Sequence, residues 1–295
     1  MMERIPMTHA ITMDAEFLSD GQTPLFIRRV SPEKYRAQLI FIHASLVHSE
    51  YYLPIALKWA QEGIRVILPD LEGHGRSQGT RGHLRHFSQH VNDIQRIYAH
   101  LHQHYSAPIF IGGESYGALM AYLACQEELP DVLGAILIAP SFGLQLTLPT
   151  WVYYVMTHIV HPLLPKLRPL RPLPVQGVSI HPDISRIIME DRNVNRFYTL
   201  GFLVNLWKAQ KEAKQRPLPH LPILTLLSTD DAVTRNDETE TLLKPHHDLE
   251  LHYHNASAHS LIADQPDFVF QKSVAWMARQ LRAESLKRRP MGTLS

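Results

Sequence analysis

The stretch Gly113-Glu114-Ser115-Tyr116-Gly117 sets a serine between two glycines at the junction of two unlike segments. An apolar run (107–111) precedes it, and a run of small and apolar residues (118–124) follows it. A G-x-S-x-G pattern between a strand and a helix is typical of a nucleophile elbow, a tight turn that lifts the serine hydroxyl clear of a sheet. The amides at the start of the helix would face negative charge that develops there. The pattern predicts Ser115 as a nucleophile; the alternative is a glycine-rich turn that only happens to carry a serine.

Strand-like and helix-like segments alternate on both sides of this stretch. The strand-like segments are largely apolar, which is typical of parallel strands buried on both faces. We therefore predict an α/β fold with a mostly parallel sheet, helices on both of its faces, and a single domain over residues 1–295. The predicted strands are 24–30, 37–43, 64–68, 107–111, 132–139, 223–227 and 249–253, and the predicted helices are 51–63, 88–105, 118–124 and 267–281.

The alternation stops over residues 142–219, a segment that we call the insertion. It shows no strand pattern, and prolines crowd its middle part, 162–182. An apolar stretch (151–156) and a helix-like stretch (197–211) flank these prolines. Because the strand and helix rhythm resumes at 223, we interpret this segment as an insertion within one α/β domain rather than as a second domain.

The composition of the chain argues against a nucleic-acid partner, an intrachain disulfide and a membrane span. The 29 basic and 28 acidic residues nearly balance, so charge gives no reason to expect a nucleic-acid partner. The single cysteine, Cys125, rules out an intrachain disulfide and is typical of a reducing compartment. The first residues contain no apolar signal-peptide core, and no apolar run approaches the roughly 20 residues of a membrane span. We therefore expect a cytoplasmic protein.

A serine nucleophile needs a base, and the base needs an acidic residue that orients it. On this architecture both follow later strands, in the order Ser, Asp/Glu, His. The strand-like segment 223–227 leads into Asp230 and Asp231, of which we favour Asp231 as the acid, although both could merely cap the next helix. His259 follows the last strand, as a loop-borne base would. His246, His247, His252 and His254 lie nearby without a recognised ligand spacing, so we predict no metal site.

A longer pattern follows the strand at 64–68. It comprises Pro69-Asp70-Leu71-Glu72-Gly73-His74-Gly75-Arg76-Ser77, then Gly79-Thr80-Arg81-Gly82, and further on Phe87 and Asp93. With the elbow and the later loops, this pattern resembles the monoacylglycerol lipase and lysophospholipase group of α/β-hydrolases, from about Phe17 to Leu281. The resemblance implies an α/β-hydrolase fold with the insertion as a helical cap. It also implies hydrolysis of lipid monoesters through an acyl-enzyme on Ser115, with no metal or organic cofactor.

The resemblance further implies an oxyanion hole formed by the backbone amides of Ser45 and Tyr116. The chain departs from the family at both places. Ala44 stands where glycine is usual beside the substrate, which could shift the Ser45 amide, and Tyr116 replaces a smaller residue, which would narrow the pocket entrance. Candidate substrate-binding residues are Ala44, Trp151, Tyr154 and Phe202.

Other functions stay open at this stage. The same chemistry would serve a carboxylesterase or thioesterase of small acyl esters, or an acyltransferase in which an alcohol replaces water. A non-catalytic hydrolase-fold binding protein is a further alternative. The expected partner is a small lipid or ester; the apolar insertion, with basic residues Lys166, Arg168 and Arg171, also leaves open a transient contact with a membrane. The oligomeric state is not predicted.

Overall fold

The computed structural model describes residues 10–127, 129–145, 148–168 and 177–287, so Arg171 lies outside the described residues. Within these ranges eight strands form one sheet in the order β1-β2-β4-β3-β5-β6-β7-β8. Strands β1 and β2 are antiparallel to their neighbours, whereas β3 to β8 pair in parallel. The strands are β1 (Ile11–Leu18), β2 (Leu25–Pro32), β3 (Ala37–Ile42), β4 (Ile64–Pro69), β5 (Ile109–Glu114), β6 (Val132–Ile138), β7 (Ile223–Ser228) and β8 (Leu249–His254).

Ten α-helices connect and cover these strands in the described part of the chain. A 3-10 turn (Ser49–Tyr52) precedes the first helix, and a π-helical turn (Met156–Val160) joins the fourth to the fifth. The helices are α1 (Leu53–Gln61), α2 (Ser88–His104), α3 (Tyr116–Ala124), α4 (Thr150–Val155), α5 (His161–Leu163), α6 (Pro182–Glu190), α7 (Leu200–Gln215), α8 (Asn236–Leu243), α9 (Leu261–Asp264) and α10 (Pro266–Lys287).

Apolar side chains on the two faces of the sheet form two separate cores. In β3, Ile40 and Ile42 join one core with α2, α3 and α7, whereas Leu39 and Phe41 join the other with α1 and α10. Successive strand residues point to opposite faces, so a strand that is covered on both sides is mostly apolar; the buried Gln38 of β3 and Arg65 of β4 are exceptions. The predicted fold class, an α/β-hydrolase fold with helices on both faces of a mostly parallel sheet, is confirmed.

Several elements escaped the sequence prediction, among them strand β1 and helix α6. Strand β1 is largely exposed, and its alternation of polar and apolar residues gave no buried-strand pattern. It pairs with β2 at the edge of the sheet, where Arg29 bonds to Asp14 and Glu16. Helix α6 lies just after the proline-rich part of the insertion, where the prolines obscured its helical periodicity.

The insertion contributes helices α4 to α7, which come between β6 and β7 in chain order. Helix α7 packs against α3 and buries Phe202, Leu206 and Ala209 in the core. Helix α4, in contrast, has no buried residue. No helix among the described residues is long and apolar enough to cross a membrane.

Candidate active site

Ser115 lies at a sharp turn between β5 and α3. Its backbone angles, φ 55° and ψ −116°, are outside the conformations that non-glycine residues prefer. Such a conformation costs on the order of 1–3 kcal/mol and persists only where surrounding contacts impose it. Here the Ser115 amide donates to the Ile138 carbonyl at 2.8 Å, and the Ser141 amide donates to the Ser115 carbonyl at 3.2 Å. The turn directs the Ser115 side chain away from the strand, as the elbow pattern predicts.

The two glycines of the elbow allow backbones to pass unusually close together. A Cβ atom on Gly113 would lie 2.5 Å from the carbonyl carbon of Gly117. One on Gly117 would lie 2.2 Å from the carbonyl oxygen of Ile42, at the end of β3. Both separations are far below van der Waals contact, so α3 can start directly above β3 and β5 only with glycine at these positions.

His259 and Asp231 meet Ser115 at the carboxyl edge of the sheet. Asp231 follows β7 and His259 follows β8, and parallel strands bring these two loops to the same edge as the elbow. The Nε2 atom of His259 lies 2.8 Å from Ser115 Oγ, and its Nδ1 atom lies 2.8 Å from Asp231 Oδ2. All three side chains are buried. The hydrogen bonds assign the proton to Nδ1, which leaves Nε2 as the acceptor for the serine hydroxyl.

The Asp231 carboxylate is fully engaged. Its Oδ1 atom accepts from the amides of Val233 and Thr234, each at 2.8 Å. Its Oδ2 atom accepts from the Thr234 hydroxyl at 2.7 Å as well as from His259. Burial alone would raise the pKa of Asp231, but the hydrogen bonds and the positive charge that His259 can carry hold that pKa below its ordinary value. Asp230, the competing candidate, is exposed, so the structure brings Asp231 and not Asp230 to His259.

Ser45 lies three residues after the end of β3, and Tyr116 is the first residue of α3. Among the described residues, neither amide donates a hydrogen bond to another protein group. Strand β3 pairs with β5 so that Ile42 lies opposite Gly113, which places the loop after β3 beside the elbow. This arrangement is suited to accepting an oxyanion, and its backbone donors need no particular side chain.

The family match covers residues 33–266, and the family is the serine aminopeptidase S33 family of hydrolases. The chain belongs to this family. The predicted resemblance to the monoacylglycerol lipase and lysophospholipase group is thereby confirmed at the level of family and fold.

Curated relatives match the S33-family chain over part of their length. A phospholipase YtpA of Bacillus subtilis is 32% identical over 112 residues, which is 37% of this chain and 42% of the relative. A monoglyceride lipase of Rattus norvegicus is 32% identical over 130 residues, 41% of each protein. The matched segments thus span only about two fifths of the length of these relatives.

Solved structures share the fold over most of their length. A monoacylglycerol lipase of Paleococcus ferrophilus superposes with a TM-score of 0.78 at 19% identity and covers 87% of this chain and 99% of its own. A soluble variant of the monoglyceride lipase of Saccharomyces cerevisiae superposes with a TM-score of 0.76 at 14% identity, covering 92% of this chain and 95% of its own. At these identities the likeness concerns the fold alone.

The two departures from the S33-family pattern are accommodated without distortion of the elbow. Ala44 is not among the described residues with positive φ, so a methyl group at that position needs no left-handed backbone. The Tyr116 side chain is buried, and its hydroxyl lies 2.7 Å from His90 Nδ1. In this structure the Tyr116 side chain packs in the core against Phe202 of the insertion, and its narrowing of an entrance stays a prediction.

The residues predicted to line a substrate pocket lie in different environments. Phe202 is buried, with its ring centroid 5.1 Å from that of Tyr116 and 4.2 Å from that of Tyr198. Trp151 and Tyr154 are 69% and 60% exposed on α4, and no contact within the described residues joins them to Ser115. Pocket-lining by Trp151 and Tyr154 stays a prediction that depends on how the insertion sits when substrate is bound.

Sequence reasoning missed several residues that support the site. Thr234 fixes the Asp231 carboxylate, and Asp264 Oδ2 accepts from the Ala258 amide at 2.7 Å, next to His259. Glu114 and Tyr52, whose side chains bond to each other at 2.8 Å, were also missed, because the two residues are 62 positions apart in the sequence. Thr234, in contrast, lies only three residues after Asp231, so its spacing could have indicated it. No group of three or more His, Cys, Asp or Glu side chains that could hold a metal occurs among the described residues.

Proposed function

We propose that this protein is a serine hydrolase of carboxylic esters, with Ser115 as nucleophile, His259 as general base and acid, and Asp231 as the residue that orients His259. The observation that carries the proposal is the unbroken hydrogen-bonded chain from Ser115 Oγ through His259 to Asp231, with both links at 2.8 Å. The serine at the end of this series of hydrogen bonds lies on a strained turn at the start of a helix. Together these features are the requirements for an activated serine.

In the first half of the reaction, Ser115 Oγ attacks the ester carbonyl carbon while His259 Nε2 takes the hydroxyl proton. The carbonyl oxygen becomes an oxyanion, which accepts from the amides of Ser45 and Tyr116, each worth about 3–4 kcal/mol of transition-state stabilisation. The imidazolium is stabilised by Asp231, whose carboxylate the Thr234 contacts hold in place. His259 then gives its proton to the departing alcohol oxygen, and an acyl-enzyme on Ser115 remains.

In the second half, water replaces the alcohol. His259 Nε2 takes one water proton as the oxygen attacks the acyl carbon, and the same two amides again accept the oxyanion. Collapse of the tetrahedral intermediate releases the carboxylic acid and returns the proton to Ser115 Oγ. None of these steps requires a cofactor.

We infer that the substrates are lipid monoesters, such as monoacylglycerols or lysophospholipids. The names of the relatives, a phospholipase and monoglyceride lipases, support this class. The insertion supports it through its apolar side chains, and we propose that residues 142–219 act as a cap. Because Ser115 is only 8% exposed, a long acyl chain reaches it only after the cap shifts.

We also propose that the cap touches lipid surfaces transiently. Its first helical part exposes six large apolar side chains, and basic Lys166 and Arg168 lie beside them. Apolar side chains flanked by basic ones favour the interface of a bilayer. The six side chains are Trp151, Tyr154, Ile159, Leu163, Leu164 and Leu167.

The proposed function is tested by fatty-acid release from a long-chain monoacylglycerol, with Ser115→Ala as the paired control and a short-chain p-nitrophenyl ester as second substrate. Release that disappears in Ser115→Ala supports the nucleophile and the lipid class together. Turnover of the short ester alone would contradict the lipid class and favour a small-ester esterase. No Ser115-dependent turnover of either ester would contradict the catalytic role of Ser115.

The membrane contact is tested separately by co-sedimentation with phosphatidylcholine vesicles containing an anionic lipid. Leu163→Ser together with Leu167→Ser should reduce the bound fraction while turnover of the soluble ester stays the same. Unchanged sedimentation of the double variant would refute this surface as the contact.

A further inference from the structure

Glu114, the residue before the nucleophile, carries a buried carboxylate that accepts hydrogen bonds on both of its oxygens. It is 3% exposed and lies at the carboxyl end of β5. The partners come from two loops that are far from each other in the sequence. A buried carboxylate is costly unless it is well bonded, so its presence beside the elbow needs a physical explanation.

One oxygen of Glu114 connects to the loop after β3. The Tyr52 hydroxyl donates to Glu114 Oε2 at 2.8 Å. The same hydroxyl accepts from the Ala44 amide at 3.0 Å. Tyr52 therefore holds the His43–Ala44 peptide, which is one peptide before the one that carries the Ser45 amide, the proposed oxyanion donor. Movement of Tyr52 would move that donor relative to Ser115.

The other oxygen of Glu114 connects to the loop that carries His259. The Ser260 hydroxyl and the Ile262 amide both donate to Glu114 Oε1, each at 3.2 Å. Ser260 is the residue next to His259. The same carboxylate thus restrains the base from one side and the oxyanion loop from the other, while its own backbone leads directly into Ser115.

We propose that Glu114 is a positioning residue that fixes the oxyanion amide and the base relative to the nucleophile, by bonding to Tyr52 with one oxygen and to the His259 loop with the other. This inference rests on the proposed function, because it assigns Glu114 a part in that reaction. Glu114 does not touch the reacting atoms in this arrangement; it acts through Tyr52, Ser260 and Ile262.

The charge of Glu114 fits this role. All three contacts are donors to the carboxylate, so the ionised form satisfies each of them. Burial raises the pKa of Glu114 above its ordinary value, although the Ile262 amide, the positive charge that His259 can carry, and the two hydroxyl donors act in the opposite direction. A negative charge at this place also favours the imidazolium that forms when His259 takes the serine proton.

The test compares Glu114→Gln and Tyr52→Phe with wild type, and uses Glu62→Gln, at an exposed glutamate, as the matched control for loss of a charge. The readouts are kcat and KM for a short-chain p-nitrophenyl ester, the rate of Ser115 labelling by a fluorophosphonate, and Tm. Loss of a hydrogen bond to a charged group predicts a fall in kcat of about 10- to 100-fold for Glu114→Gln, with KM changed less than about threefold. The double variant should lose little more than Glu114→Gln alone, because Tyr52 acts through Glu114.

Several results would overturn the proposal. A Glu114→Gln protein that keeps wild-type kcat and labelling rate would show that Glu114 is not needed for positioning. A lower Tm with unchanged kcat would show that its role is structural only. If Glu114→Gln does not fold, full kcat in Tyr52→Phe would refute the link to the oxyanion loop. A wild-type protein that shows no Ser115-dependent labelling or turnover would instead refute the proposed function, and with it this inference.

Discussion

Replacement of Asp231 by asparagine should damage catalysis while leaving the fold intact. The amides of Val233 and Thr234 both donate to Oδ1, so the carbonyl oxygen of an asparagine must take that place. Its NH2 group then faces His259 Nδ1, where the carboxylate oxygen accepted a hydrogen bond at 2.8 Å. The histidine must accept there and carry its proton on Nε2, the atom that should take the proton of Ser115. A histidine held in this tautomer costs about 10⁴-fold in kcat in serine proteases, or ~5 kcal/mol of transition-state stabilisation.

The matched control is Asp230→Asn, which removes the same charge one residue away at an exposed position. The assay is kcat for a short-chain p-nitrophenyl ester, with Tm measured for each variant to show that it is folded. We expect about 10⁴-fold loss for Asp231→Asn and less than about twofold loss for Asp230→Asn. Equal losses in the two variants, or an Asp231→Asn protein within tenfold of wild type, would refute the assignment of the acid.

Three further predictions concern the same site. His259→Ala should lower kcat by at least about 10³-fold with Tm nearly unchanged, whereas His254→Ala should stay within about twofold of wild type; the reverse pattern would mean that the base is His254. Gly117→Ala should lower the free energy of unfolding by more than about 3 kcal/mol, because the added Cβ would lie 2.2 Å from the Ile42 carbonyl oxygen. The control Gly21→Ala, at a turn with open space around it, should lower it by only about 1–2 kcal/mol. Urea denaturation measures both values. The pKa of Asp231 lies below its ordinary value of 3.8, so the ionised carboxylate stabilises the folded state above that pH, and this contribution is lost as the pH falls through the folded-state pKa. Below about pH 4 the free energy of unfolding of wild type should therefore fall more steeply with pH than that of Asp231→Asn. Parallel pH curves of the two free energies would contradict this.

The sequence was sufficient to predict the central strands, because the core covers both faces of these strands. The β5 segment is apolar at every position up to its glycines, and β3 and β7 are apolar apart from Gln38, Thr225 and Ser228, which made these strands recognisable and fixed the chain order of the loops that follow. The order of Ser115, Asp231 and His259 could then be predicted. Strand β1 was missed because it has no buried apolar run, although its sequence alternates apolar and polar residues as a strand does.

Contacts between distant segments explain what the sequence could not supply. Glu114 reads as an arbitrary residue within the elbow pattern until the fold brings Tyr52 and Ile262 to its carboxylate, across 62 and 148 positions of the chain. The same holds for Trp151 and Tyr154, whose aromatic character suggested a pocket although both side chains are exposed in this structure. Side-chain chemistry indicates what a residue could do, whereas its partners depend on packing that a single sequence does not encode in its spacing.

The segment from Gly73 to Gly82 carries the most specific resemblance to known hydrolases, yet it supplies no group to Ser115, Asp231 or His259. At its two ends this segment contacts the insertion: the Asn195 side chain donates to the Gly73 carbonyl at 2.8 Å, and the Thr199 amide donates to the Gly82 carbonyl at 2.9 Å.

Between these two contacts lies Tyr198, whose hydroxyl donates to the Ser45 carbonyl. The segment therefore fixes the base of the insertion, and through Tyr198 the insertion contacts the loop that holds the proposed oxyanion donor. A cap that shifts to admit an acyl chain would pull on this loop unless residues 195–199 stay in place.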